Sequence, residues 1–439
     1  MSCPEVPIQV IAGSECIGDS LTKINANFSV LGAAFCEALS EINTLSSQPL
    51  VPIASETIQS QLEGKFFSSS INLSSLKMEH LMFEHGSFGF RNRIINGDMA
   101  ISQRWEQTPV LINSSVPVYV VDRWYGFAAD ISSGGTFSLQ QSALGFGEYC
   151  LIAKTVTPEI SLGVSKKFGF AQKIEGFNVR DLKWGTLNAS SIVISFVAKT
   201  NMGENTILGG SITNNSNNRS FPFEYTFAGT GWQYFSILIP GDTTGTWLTN
   251  EEAGLVLNFS LGTGTVFRGE KNVWSSQGYQ GASDQANPIV TEQAYVAIKN
   301  VQVEVGNSPT PFEIRPFQAE LDLCKRYFEK SYKFGVPPGT NTTENCFFFE
   351  GTVTGGSYNN YIVTPFSIEK RTPPSVAAIY STGGTKNMYK EVLGNVDKSA
   401  SPSNTRINTK FVVFEPSIPG TNINPGYDYI YHWTADSEL

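Results

Sequence analysis

From Arg91 to Arg315 the chain reads as a succession of extended apolar runs broken at short intervals by Gly, Asn, Asp and Pro. That pattern leaves few folds open. SSIVISFVAKT (Ser190–Thr200) alternates so that Ile192, Ile194, Phe196 and Ala198 share one face. WQYFSILIP (Trp232–Pro240), GLVLNFSLG (Gly254–Gly262) and YVAIKNVQVEVG (Tyr295–Gly306) read the same way. β-Branched and aromatic residues dominate the runs, and the breaks fall at roughly the hairpin spacing of a sandwich. Several strands are partly apolar on both faces, as expected when two sheets pack and the protomer also meets neighbours. A jelly roll is the simplest architecture with these strands, although periodicity alone does not separate it from another sandwich.

Composition supports β-structure and excludes some partners. Charged residues make up 16% of the chain, against about 25% in an average soluble protein. Gly, Phe, Ser, Thr and Asn take their place, and aromatics at 12% exclude simple disorder. A net charge of −9 argues against a nucleic-acid partner, because phosphate binding needs a basic face. No apolar run approaches the ~18 residues of a spanning helix, so no membrane insertion is expected. MSCPEVPIQV shows no basic segment followed by an apolar run, so no secretory signal is expected. Cys3, Cys16, Cys36, Cys150, Cys324 and Cys346 have neither CxxC spacing nor a disulfide framework and read as free thiols made in a reducing cytoplasm.

The 439 residues are enough for two or three domains. Residues 1–47 form an arm and a helix. Leu21, Ile24, Phe28, Leu31 and Phe35 step by three and four, and Leu39, Ile42 and Leu45 continue after one extra residue. Asp19 or Ser20 can cap this helix. The flanks hold little apolar mass to cover the stripe, and two phenylalanines need more room than a tight dimer offers. The expectation is a coiled coil or small bundle of three or more strands, hence a homotrimer. Residues 48–90 read as a linker with short strands. There His80 and His85 stand with Glu79 and Glu84, but their spacing fits no metal motif, and a solvated pair is the reading adopted.

Residues 91–316 hold the sandwich. In 317–332, Phe317, Leu321, Cys324 and Phe328 share a face, predicting a connecting helix. Residues 333–439 return to short strands separated by Gly/Asn/Thr/Ser loops, predicting a small distal β-sandwich. In one of those loops Tyr358, Asn359 and Asn360 put an aromatic ring beside two amides, a set able to stack and hydrogen-bond with a glycan.

Catalytic signatures are missing. No GxSxG, HExxH, P-loop or dinucleotide fingerprint occurs, and a triad would have to draw on His80, His85 or His432. His432 lies within a terminal strand and reads as core. Glu304, Glu313, Asp122 and Asp242 are the carboxylates from which a glycoside-hydrolase pair would be drawn. No enzyme, cofactor or metal site is expected.

Three separated segments carry a resemblance: RIINGDMAISQRW with DRW at Asp122–Trp124, KIEGFNVRDL at Lys173–Leu182, and VQVEVGNSPTPFEIRPFQAELDLCKRY at Val301–Tyr327. Their order and wording resemble a family of bacteriophage tail-fibre and tail-tip proteins, and the ending YHWTADSEL strengthens the likeness. CIGDSLTKINANFSVL is similar to a short assembly segment near the start of phage structural proteins. The resemblance implies a jelly roll similar to a carbohydrate-binding module, followed by a smaller distal domain. GDTTGTW (Gly241–Trp247) resembles a segment after a strand in that family. Trp247 is read there as a sandwich-edge plug, with a carbohydrate platform as the sharper alternative.

The resulting expectation is a virion protein of the phage tail, made in the host cytoplasm. It would be a tail fibre or tail-tip adhesin docked to other tail proteins through its N-terminal region. It would meet a host surface glycan or outer-membrane component through Tyr358, Asn359, Asn360 or Trp247. A glycan depolymerase and a connector without host binding are the alternatives.

Overall fold

The computed structural model describes residues 90–129, 134–351, 361–416 and 426–439, which belong to one compact unit. The eight helix positions from Leu21 to Leu45, the His80/His85 pair, and Tyr358, Asn359 and Asn360 lie outside the described residues.

Two six-stranded sheets face each other. In chain order their strands are β1 (Val110–Ile112), β2 (Val118–Val121), β3 (Trp124–Ala129), β4 (Thr136–Gly145), β5 (Glu148–Thr157), β6 (Lys167–Glu175), β7 (Ile192–Thr200), β8 (Ile207–Thr213), β9 (Ser220–Thr226), β10 (Gln233–Ile239) and β11 (Ala253–Thr263). A short parallel pair, β12 (Arg268–Gly269) with β13 (Gly281–Ala282), precedes β14 (Tyr295–Val305). The first sheet runs β1-β4-β5-β14-β7-β10 and the second β2-β3-β6-β11-β8-β9. After β5 the chain passes back and forth between the sheets at β6, β7, β8, β10, β11 and β14. These are the crossovers of a jelly roll.

The alternation read from the sequence sets the core. Ile192, Ile194, Phe196 and Ala198 are fully buried. From the second sheet Phe259 stacks on Phe170 at 5.3 Å and meets Phe196 edge-on at 5.1 Å. Each such ring contributes about 1.5–3 kcal/mol by leaving water. The outer face of the second sheet is covered by the chain itself. Gln285, from the loop after β13, donates to Ser260 Oγ at 2.6 Å. Gly209 permits this close approach, since a Cβ there would meet the Gln285 carboxamide.

The connecting helix is shorter than its apolar spacing predicts. α1 covers Phe317–Lys325, and Phe328–Lys330 forms strand β15. Leu321 and Cys324 are buried as expected, whereas Phe317 is half exposed against Phe334. Phe328 keeps a buried place, but as a strand residue paired with Asp436. The helix stops because residues 327–330 are drawn into longer-range contacts, described below.

Beyond it lie β16 (Phe347–Glu350), β17 (Ile362–Pro365), β18 (Val376–Tyr380), β19 (Met388–Glu391), β20 (Val396–Ile407), β21 (Phe411–Pro416) and β22 (Asp428–Asp436). Instead of two separate sheets, they form one hydrogen-bonded set in the order β15-β22-β19-β20-β21-β17, with β16 and β18 also on β22. The set encloses its own core of Ile362, Ile379, Tyr389, Val412, Phe414, Tyr429 and Trp433. Among the described residues, no helix is long and apolar enough to cross a membrane.

Candidate functional site

The segments that carry the phage resemblance converge on one place, where the sandwich meets α1 and the last residues of β22. Arg123 takes a left-handed backbone, φ 72°, in the turn between β2 and β3. The turn directs three consecutive side chains to different tasks. Asp122 accepts from the Gln103 backbone N–H at 2.8 Å and from its carboxamide at 2.5 Å. Arg123 lies 3.5 Å over the Tyr327 ring, donates to the Lys173 carbonyl at 2.6 Å, and pairs with Glu438. Trp124 donates to the Asn96 carbonyl at 3.1 Å.

The neighbours extend this network. Arg104 pairs with Asp436 at 2.9 Å and Glu438 at 3.3 Å, and covers the Phe328 ring at 3.8 Å. Glu175 accepts from Arg326 at 2.6 Å and from the Tyr327 hydroxyl at 2.5 Å. Arg371 bridges the Glu251 and Ser437 carbonyls, both at 3.0 Å. Burial raises the Asp122 and Glu438 carboxyls above the usual range, with the nearby guanidiniums opposing. Ile95, Ile101, Leu321, Cys324 and Tyr327 form a small apolar core beside them. Among the described residues, Arg104, Arg123 and Arg326 each meet a carboxylate partner here, so the arrangement welds the sandwich to the distal lobe.

The four carboxylates considered for glycoside chemistry are each committed locally. Asp122 belongs to the weld. Glu304 accepts from the Thr310 backbone N–H at 2.8 Å and hydroxyl at 2.6 Å. Glu313 accepts from the Arg91 and Asn92 backbone N–H groups at 3.1 and 3.0 Å, and these bonds with Arg315 outweigh burial and lower its pKa. Asp242 receives Arg219 through two 2.7 Å bonds. His432 is fully buried; its Nδ1 lies 3.0 Å from Ser331 Oγ and its Nε2 3.1 Å from the Thr342 carbonyl, so neither nitrogen is free.

Trp247 sits at the sandwich edge, half buried. It meets Trp184 edge-on at 4.7 Å and Trp274 at 5.6 Å, and its indole N–H approaches Asp242 at 3.3 Å and the Thr244 carbonyl at 3.2 Å. The cleft beside it measures about 30 Å³, room for a water molecule but not a sugar.

A larger opening lies on the distal lobe. Val363, 58% exposed, stands on β17 at the edge of the bonded set, and Tyr361, 43% exposed, immediately precedes that strand. Thr405, Arg406, Ile407 and Asn408 close the far side, with Phe411 and Val413 as floor, enclosing 420 Å³. The Asn408 side chain fixes the β20–β21 turn by accepting from the Lys410 and Phe411 backbone N–H groups at 2.8 and 3.0 Å. The Arg406 guanidinium lies 3.8 Å over the Tyr361 ring. Tyr361 directly follows Asn360, so the groove adjoins the Tyr358–Asn360 set in the chain. Sequence reading missed both Tyr361 and Arg406. Their only signal was an aromatic at the mouth of a strand and a single Arg in the polar run SPSNTRINTK.

No protein-family model matches this chain, and no curated protein matches it in sequence. Solved structures similar to it include the enzymatically active domain of tailspike protein 4 from bacteriophage CBA120. That match has 14% identity and a TM-score of 0.26 and covers 49% of this chain but 22% of that one. A putative sugar binding protein from Bacteroides thetaiotaomicron matches at 10% identity and TM-score 0.28, covering 49% of this chain and all of that one. A family 11 carbohydrate-binding module from Clostridium thermocellum matches at 13% and 0.23, covering 43% and 91%. At these scores the matches establish neither function nor partner for this chain.

Proposed function

We infer that this protein is a structural component of a phage virion, a tail fibre or tail-tip adhesin that attaches the particle to a host surface glycan. The distal lobe is the reader, residues 19–45 assemble the protomers into a trimer, and the N-terminal region docks to other tail proteins. The observation that carries this reading is the division of labour within the described residues. The segments resembling phage tail proteins are spent on a buried weld. The distal lobe, by contrast, keeps an open apolar groove with an exposed aromatic and a guanidinium at its mouth. Tyr358, Asn359 and Asn360 lead directly into that groove in sequence. Trp247, enclosed by two other tryptophans, is the secondary contact. Weak single sites suffice for attachment, because several copies per particle multiply binding through effective concentration.

Incubating the full-length protein with purified host surface glycan tests this reading against its alternatives. The adhesin retains the glycan without cleaving it. Released oligosaccharide identifies a depolymerase, and neither retention nor release leaves a connector.

A further inference from the structure

The distal groove combines two features that select a ligand chemistry. Val363, Ile407, Phe411 and Val413 give it an apolar floor and wall beside the polar Thr405 and Asn408, and its 420 Å³ falls within the roughly 300–1,000 Å³ of small-ligand sites. Its rim carries a cation in an unusual setting for this acidic chain. Arginines of the weld such as Arg104 and Arg123 are held by carboxylates. Arg406 is exposed, stacks on Tyr361 instead, and has no carboxylate partner among the described residues.

A guanidinium lying on an aromatic ring is pre-oriented, and its in-plane N–H groups stay available as a fork that matches a carboxylate. The apolar floor and the Tyr361 ring suit the C–H face of a sugar. We propose that this groove binds a carboxylated sugar unit, uronate or sialate in type, with Arg406 taking the carboxylate and the floor taking the ring. The proposal rests on the reading of the distal lobe as a glycan reader, and it names the glycan class.

Calorimetry on the full-length protein tests it with three sets of short oligosaccharides: oligouronate and oligosialate, their carboxyl-reduced forms, and a neutral oligoglucan. Short ligands remove the avidity of polymers. The expected result is binding of an acidic oligomer, weakened about tenfold or more by carboxyl reduction and by Arg406→Gln alike. Because Arg406 is exposed, the variant should keep the parent melting temperature, which shows that the loss is local. Equal affinity of Arg406→Gln and parent, equal affinity for reduced and acidic oligomers, or binding of neutral glycan alone overturns the acidic-sugar assignment and leaves the adhesin reading standing. Failure to bind any oligomer or purified host glycan overturns both.

Discussion

Arg123 and Glu438 lie 315 residues apart and form an ion pair whose side chains are 1% and 5% exposed. Arg123 also covers Tyr327, and Glu438 also holds Arg104, so this contact ties the β2–β3 turn, the end of α1 and the tail of β22 together. Both charges have lost their hydration, and their attraction largely serves to offset that cost. The pair therefore fixes geometry more than it adds stability.

Removing one partner strands the other. Glu438→Gln should lower unfolding stability by about 3–5 kcal/mol in chemical denaturation. Replacing both, Arg123→Met with Glu438→Leu, should recover much of the loss. A loss below about 1 kcal/mol for the single variant would mean that water or Asp436 replaces the carboxylate and that the weld is not closed.

His432 predicts a pH dependence. Its ring stacks on Tyr332 at 3.9 Å, with Ser331 and the Thr342 carbonyl at its two nitrogens. Burial pushes its pKa below the ordinary 6.5, and the Thr342 contact opposes this. The unfolded chain therefore takes up a proton before the folded one does. The stability contribution is complete above pH 6.5 and falls as pH drops from there towards the lowered folded value. The slope is at most about 1.4 kcal/mol per pH unit. His432→Gln should flatten the stability profile between pH 7.5 and 5.5. A slope unchanged in the variant would assign the effect to other groups.

The N-terminal stripe makes an independent prediction about assembly. Phe28→Asp with Phe35→Asp places charges at two positions of the proposed seam, where each buried Phe contributes about 1.5–3 kcal/mol. Light scattering should then report a smaller particle than the parent. An unchanged mass would remove residues 19–45 from the role of assembly helix.

Legibility in the sequence followed the range of the interactions. Strand β7 could be read directly, because alternation is local and Ile192, Ile194, Phe196 and Ala198 face the core. The helix was read seven residues too long, since Tyr327 and Phe328 continue its apolar spacing while being claimed by Glu175, Arg123 and Asp436 from distant segments. The RIINGDMAISQRW and DRW segments could be recognised as wording but not as a weld, because their partners Asp436 and Glu438 lie more than 300 residues away in the sequence. The distal groove was invisible for the same reason. Only the pairing of β17 with β21 and of β21 with β20 brings Tyr361 beside Arg406.

The central claim is that the distal lobe carries host contact. Its most direct measurement compares host adsorption of particles bearing Tyr358→Ala, Asn359→Ala and Asn360→Ala together with particles altered in the Asp242–Trp247 loop. The account predicts that the triple variant keeps the parent melting temperature and loses adsorption, while the loop variant, once shown to be folded, still adsorbs. Adsorption that survives the triple substitution and disappears with the Asp242–Trp247 loop would place the reader on the sandwich and contradict the account.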